Sequence, residues 1–193
     1  RNSMSKLKAK FESQIPGMRD EIRGLIKEHG AKVVSEVTIK QVYGGMRGVR
    51  GLVCDTSLVP PEKGLIIRGI ELKDLFDKWP EEIFWLLVTG ELPNEDEVKD
   101  LQAEYKKYAG VPQYVWDVLR AMPEDSHPMC MLDTGILAME GESKFRARYA
   151  EGMAKPDYWE PTLEDSMRIL AILPELAAGV YRIRYKKGDL IKP

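Results

Sequence analysis

The sequence predicts a mainly α protein with one small antiparallel β segment, and three observations carry the prediction. Apolar residues recur at three- and four-residue spacing over residues 5–29 and over most of the chain after Glu71. Short β-prone runs broken by glycine and proline are confined to residues 32–69. Proline and acidic residues stand where helices would open, and glycine stands where they would close.

Taken in order, Leu7, Phe11, Ile15, Met18, Ile22, Leu25 and Ile26 line one stripe of a helix ending at His29-Gly30. Pro16-Gly17 predicts a break into a short and a longer helix, and Gly30 reads as a left-handed cap. From Lys32 to Gly69, the runs Val33-Val34, Val37, Ile39, Leu52-Val53, Leu58-Val59 and Leu65-Ile66-Ile67 predict small hairpins. Beyond Glu71, Pro80-Glu81-Glu82 opens a helix that Gly90 stops, and Asn94 with Glu97 opens another toward Tyr108. Pro112 opens a helix ending near Met122-Pro123, and Pro128 one through Met139. A last helix runs from about Pro161 to Tyr185, with Leu163, Met167, Leu170, Leu173, Ala177, Val180 and Tyr181 on one face and a kink expected at Pro174. No repeat or linker divides the chain, so it reads as one mainly α unit with a small β appendage. It stops soon after the last helix, as an incomplete unit would.

Composition narrows the function. The 193 residues hold 44% hydrophobic and 31% charged positions, the balance of a globular protein. Lys and Arg number 29 against 31 Asp and Glu, for a net charge of −2, so the whole chain carries no basic footprint for nucleic acid or anionic lipid. Two cysteines, Cys54 and Cys130, and two histidines exclude a disulfide scaffold and a histidine-rich metal centre, and no metal site is expected. The longest apolar run, Ile83–Val88, is far short of the roughly 20 residues that cross a bilayer. Residues 1–4 read as a three-residue cloning remnant followed by a start at Met4. With no apolar stretch there, a cytoplasmic or organelle-matrix location is expected.

Few residues suggest chemistry. His127 precedes Pro128 and reads as a hydrogen-bonding helix entry; a Cys130–His127 nucleophile pair lacks any third member, and Cys130 reads as buried. Glu140, Glu142, Glu151, Asp157 and Glu160 read as surface carboxylates, and Arg182, Arg184, Lys186 and Lys187 as a solvated helix end. The most unusual stretch is Gly44-Gly45-Met46-Arg47-Gly48-Val49-Arg50-Gly51, whose glycines free the backbone for tight turns and whose arginines offer forked donors. It is no Walker loop. Two readings stand, recognition of phosphate or carboxylate and a glycine-rich turn with solvated arginines. No catalytic constellation is present.

Several stretches together resemble one family. Val42-Tyr43-Gly44-Gly45-Met46-Arg47-Gly48 is followed by Gly51-Leu52-Val53 and Asp55-Thr56-Ser57, then by Gly64-Leu65-Ile66-Ile67-Arg68-Gly69 and Phe84-Trp85-Leu86-Leu87-Val88-Thr89-Gly90. His127-Pro128-Met129, Arg148-Tyr149-Ala150-Glu151-Gly152 and Tyr158-Trp159-Glu160 complete the set. In this order and spacing they resemble the N-terminal half of citrate synthase, of the type found in mitochondria and some bacteria, from about Ile15 onward. The resemblance makes residues 5–193 the N-terminal portion of that enzyme's large domain, with the small domain and catalytic half absent. It implies a homodimer, or association with the missing half. It also implies an acyltransferase of the tricarboxylic acid cycle that condenses acetyl-CoA with oxaloacetate and water to citrate and CoA, without a prosthetic group. The family's catalytic aspartate and histidines lie in motifs such as Asp-His-Glu-Gly-Gly and Pro-Leu-His-Gly, which do not occur here, so this chain alone is expected to be inactive.

Two positions carry over from the family. Arg47 matches an arginine that reaches across the dimer to the phosphates of CoA. Lys155 lies where the family usually has another CoA-contacting arginine. Pro80-Glu81-Glu82 leads straight into Phe84-Trp85 without the longer loop of the mitochondrial form, and this favours a bacterial cytoplasmic source. A non-catalytic helical interaction module derived from the family is the rival reading, and 2-methylcitrate synthase is left open.

Overall fold

The computed structural model describes residues 5–191. The four residues read as a remnant and start lie outside the described residues. The chain divides into two units, Arg1–Val98 and Lys99–Pro193.

In the first unit, α1 (Lys6–His29) opens on Ser5, whose hydroxyl accepts from the Lys8 backbone N–H. The helix runs through Pro16 without interruption, so the expected break is absent. One lost N–H bond is tolerated where the ladder continues on both sides. Gly30 ends the helix in a right-handed conformation, not the left-handed one expected. Glycine is needed there for another reason, because a Cβ would run into the carbonyl oxygen of Ile26. Of the apolar stripe, Leu7 is buried, whereas Met18, Ile22, Leu25 and Ile26 are exposed.

The β-prone stretch yields less sheet than its composition suggests. Residues 32–37 and 49–56 form no strand, and Ile39–Tyr43 is a short helix, α2. A reciprocal capping box makes it: the Thr38 hydroxyl accepts from the Gln41 N–H, and the Gln41 carboxamide accepts from the Thr38 N–H. The sheet has three short antiparallel strands, β1 (Ser57–Leu58), β2 (Ile66–Ile67) and β3 (Ile70–Glu71). Arg68 and Gly69 join β2 to β3 with φ of 47° and 84°, the two positive values of a type I′ hairpin. The Arg68 guanidinium holds this turn by donating to the carbonyls of Leu87 (2.9 Å) and Asp55 (3.4 Å) and pairing with the Asp55 carboxylate (2.9 Å). Ile67 and Leu75 pack with Leu86 of α3 (Pro80–Thr89) as a small core. Proline opens α3 and left-handed Gly90 closes it, as expected.

α4 (Glu95–Tyr108) begins with the expected Asn94–Glu97 box. In the second unit, α5 (Gln113–Ala121), α6 (Pro128–Ala138) and α7 (Lys144–Ala150) pack around α8 (Trp159–Arg184) or each other. Val115, Trp116, Leu119, Met131, Ile172, Leu176 and Val180 form the main core. Small residues allow the close crossings. A Cβ on Gly135 would lie 3.0 Å from Leu176 Cδ1, and one on Gly179 would overlap the Trp116 ring.

The buried face of α8 differs from the single stripe expected. Leu163 and Met167 are buried near the start, then Ile172, Leu176, Gly179 and Val180, while Ala177 and Tyr181 are exposed. At 3.6 residues per turn the five-residue step from Met167 to Ile172 moves the apolar face to another side. The helix has different neighbours along its length, α7 as well as α5 and α6. Among the described residues no helix is long and apolar enough to cross a membrane.

Candidate functional site

The glycine-rich stretch folds as two tight turns behind α2. The Met46 N–H donates to the Gln41 carbonyl (2.7 Å), and the Val49 N–H donates to the Met46 carbonyl (3.1 Å). Gly45, Met46 and Gly48 take φ of 74°, 61° and 77°. Positive φ at the third position of the Met46–Val49 turn is the geometry of type II, which is why glycine follows Arg47. Arg47 occupies the second position, exposed and without a partner among the described residues. A guanidinium so held offers its whole fork of donors to an anion.

Lys155 is placed by a different device in the second unit. α7 ends in a Schellman motif, in which the Met153 N–H donates to the Arg148 carbonyl and the Gly152 N–H to the Tyr149 carbonyl, with Gly152 at φ 86°. A single 3-10 turn, Lys155–Asp157, then leads into α8. Arg148 on α7 pairs with Glu160 on α8 at 2.7 Å, and this pairing raises the guanidinium's affinity for its proton. The Phe145 and Tyr149 rings close on Tyr158, with centroids 5.1 and 6.0 Å away. Lys155 itself is exposed and has no partner among the described residues. Its ammonium stands at the entry of a 26-residue helix, where aligned backbone dipoles also favour negative charge.

The remaining candidates have structural work. His127 caps α6, its Nδ1 accepting from the Met129 N–H at 3.2 Å, which is the helix-entry role expected. Cys130 is exposed, contrary to the buried position expected, because it falls on the outer side of α6. Glu142 accepts from the Tyr114 hydroxyl (2.9 Å) and Arg168 (3.2 Å), and Glu140 pairs with Arg146. Asp165 receives Ser143 Oγ (2.6 Å) and the backbone N–H groups of Lys144 and Phe145. The sequence reading missed Arg168 and Asp165, which lie inside α8 with no local motif to mark them. Arg182 and Arg184 are not a solvated end: Arg182 donates to the Asp189 carbonyl (2.5 Å) and Arg184 to the Ser126 carbonyl (2.7 Å). These donations tie down the segments on either side of the core.

These features define a class: a mainly helical protein with a small β-hairpin and an exposed glycine-rich turn whose guanidinium is free to receive an anion. A family model described as "Citrate synthase, C-terminal domain" matches residues 45–193. The chain belongs to the citrate synthase family. It is 39% identical over 194 residues to the mitochondrial citrate synthase of Saccharomyces cerevisiae, covering 95% of this chain and 40% of that protein. It is also 39% identical over 195 residues to the mitochondrial 2-methylcitrate synthase of Yarrowia lipolytica, covering 96% of this chain and 42% of that protein. The chain thus spans about two fifths of the length of these relatives. Among solved structures, citrate synthase from Pyrobaculum aerophilum shares the fold with a TM-score of 0.68 at 22% identity, over 84% of this chain and 42% of that one. The Thermoplasma acidophilum enzyme, in ternary complex with carboxymethyl coenzyme A and oxaloacetate, matches with a TM-score of 0.64 at 18% identity, over 83% and 39% of the two chains.

Proposed function

We propose that this chain supplies the N-terminal part of the large domain of a citrate synthase, residues 5–193, and that the complete enzyme condenses acetyl-CoA with oxaloacetate and water to citrate and CoA. The observation that carries the reading is Arg47, exposed and without a partner on its glycine-rich turn in a chain of this family. Its fork takes a phosphate group of CoA in two parallel charge-assisted bonds, and in the homodimer it serves the partner's site. Lys155 adds a point charge at the start of α8, which compensates charge without fixing the orientation of a phosphate. Both residues bind and orient the acyl carrier, and neither moves a proton. The condensation itself is left to residues beyond those of this chain, because the sequence holds no candidate catalytic dyad. The enzyme uses no prosthetic group, and CoA enters as substrate. We place it in a bacterial cytoplasm on the direct run from Pro80 into Phe84.

Replacing Arg47 by Ala in the complete enzyme is expected to raise KM for acetyl-CoA about tenfold, the loss of one charge-assisted contact, with KM for oxaloacetate nearly unchanged. Equal increases in both would remove Arg47 from the CoA site. Relatives of both acyl-CoA specificities match at 39% identity, so the same assay with propionyl-CoA distinguishes a 2-methylcitrate synthase.

A further inference from the structure

The arginines of this chain are nearly all engaged. They form ion pairs such as Arg68–Asp55 and Arg148–Glu160, or donate to backbone carbonyls as Arg184 does. Among the described residues two are not, Arg47 and Arg50. Both lie in a stretch with unusual charge: from Val37 to Cys54 there is no Asp or Glu, while Lys40, Arg47 and Arg50 are all present. In a chain whose net charge is −2, this is a segment of three uncompensated cations. Their field is screened by salt but not by neighbouring carboxylates of the same segment.

The backbone brings the two arginines to one turn. Arg47 sits at its second position, and Arg50 follows Val49, whose N–H closes the turn on Met46 at 3.1 Å. Gly48 between them, at φ 77°, makes the reversal possible. Two guanidinium groups without a carboxylate, one within the turn and one directly after it, are arranged for an anion with more than one charged group. Coenzyme A is such a ligand, with a pyrophosphate and a separate 3′-phosphate.

We propose that Arg50 is a second phosphate-binding arginine, which acts with Arg47 as a paired clamp on different phosphate groups of coenzyme A. The proposal rests on the reading of the Arg47 turn as a CoA site. Arg47 alone neutralises one group; Arg50 extends the grip to the next and fixes the ligand's direction along the turn.

The test is a nitrogen-15 NMR titration of the complete enzyme, in which the 193 residues of this chain stand with the half that completes the CoA site. The arginine Nε–Hε signals are assigned through the Arg47→Lys and Arg50→Lys variants, and coenzyme A and phosphate-free pantetheine are the two probes. With coenzyme A the Arg47 and Arg50 signals are expected to shift along one binding curve, while the signal of ion-paired Arg120 stays in place. Pantetheine is expected to move neither. Arg50→Ala should weaken the fitted Kd for coenzyme A about tenfold. If Arg47 shifts and Arg50 does not, or if Arg50→Ala binds as the parent does, the clamp is overturned and the Arg47 site stands. If neither arginine shifts, or if pantetheine shifts both as coenzyme A does, the clamp and the phosphate site fall together.

Discussion

Arg68 shows how one side chain can hold a hairpin in place. It reaches from the β2–β3 turn to the Leu87 carbonyl at the end of α3 and to Asp55 ahead of β1. Truncation to Ala removes the donor from a carbonyl near the end of α3 as well as an ion pair. The expected cost is about 1–3 kcal/mol, read as a lower urea midpoint at unchanged slope. Tyr114 gives a pH-dependent case. Partial burial first, and then the hydrogen bond its hydroxyl donates to Glu142, push its ionisation above the ordinary 10.0. The neutral phenol is the form favoured in the folded state. Its stabilisation is therefore complete below pH 10.0 and is lost as pH rises through the folded value. With Tyr114 still 43% exposed, water screens this bond, and Tyr114→Phe should be less stable than the parent by only a few tenths of a kcal/mol, about 0.5 at most, at neutral pH. The gap should narrow in urea melts taken at increasing alkalinity, and a gap independent of pH would contradict the assignment.

At the scale of elements, α8 is the organiser of the second unit, and it needs small residues to be so. Gly179 lies against the Trp116 ring, so Gly179→Ala forces the indole to move within the core and should cost about 1–3 kcal/mol in thermal or urea unfolding. An unchanged midpoint would mean that the ring has room the packing does not indicate. This level also separates what was legible from what was not. The helices opened by Pro80, Asn94, Pro112 and Pro128 could be read because their end signals are local, a proline ring or a side chain that caps within three residues. α2 was legible too, in Thr38 and Gln41, but the β-branched residues around it drew the reading toward strands. The rotation of the buried face along α8 was not legible, because it depends on which helices lie beside each turn. Arg182 and Arg184 were misjudged for the same reason: their carbonyl partners at Asp189 and Ser126 are set by tertiary contact. In the candidate site, the Arg47 turn stands out in the sequence because glycines at positive φ leave their mark there, and Lys155 was found through the family motif alone.

For the whole chain, the dominant fact is the apolar surface of the first unit. Ile22, Leu25 and Ile26 on α1 are 55–63% exposed, and Leu52 and Val53 are 90 and 91% exposed. Exposed apolar side chains of this number favour association between copies of the chain. The isolated chain is therefore expected to self-associate, with a sedimentation coefficient that rises with concentration. Replacing Ile22, Leu25 and Ile26 together by Ser should abolish the rise. A single sharp monomer boundary at all concentrations would show that these residues do not drive association.

The turn that presents Arg47 and Arg50 also makes the chain vulnerable. Exposed basic residues on a segment outside the core clusters are what trypsin requires, and no carboxylate of that segment shields them. The same two side chains proposed to grip a phosphate ligand thus mark where digestion would begin. The time taken to nick the chain there becomes a clock for occupancy, slow when the turn is filled and fast when it is empty.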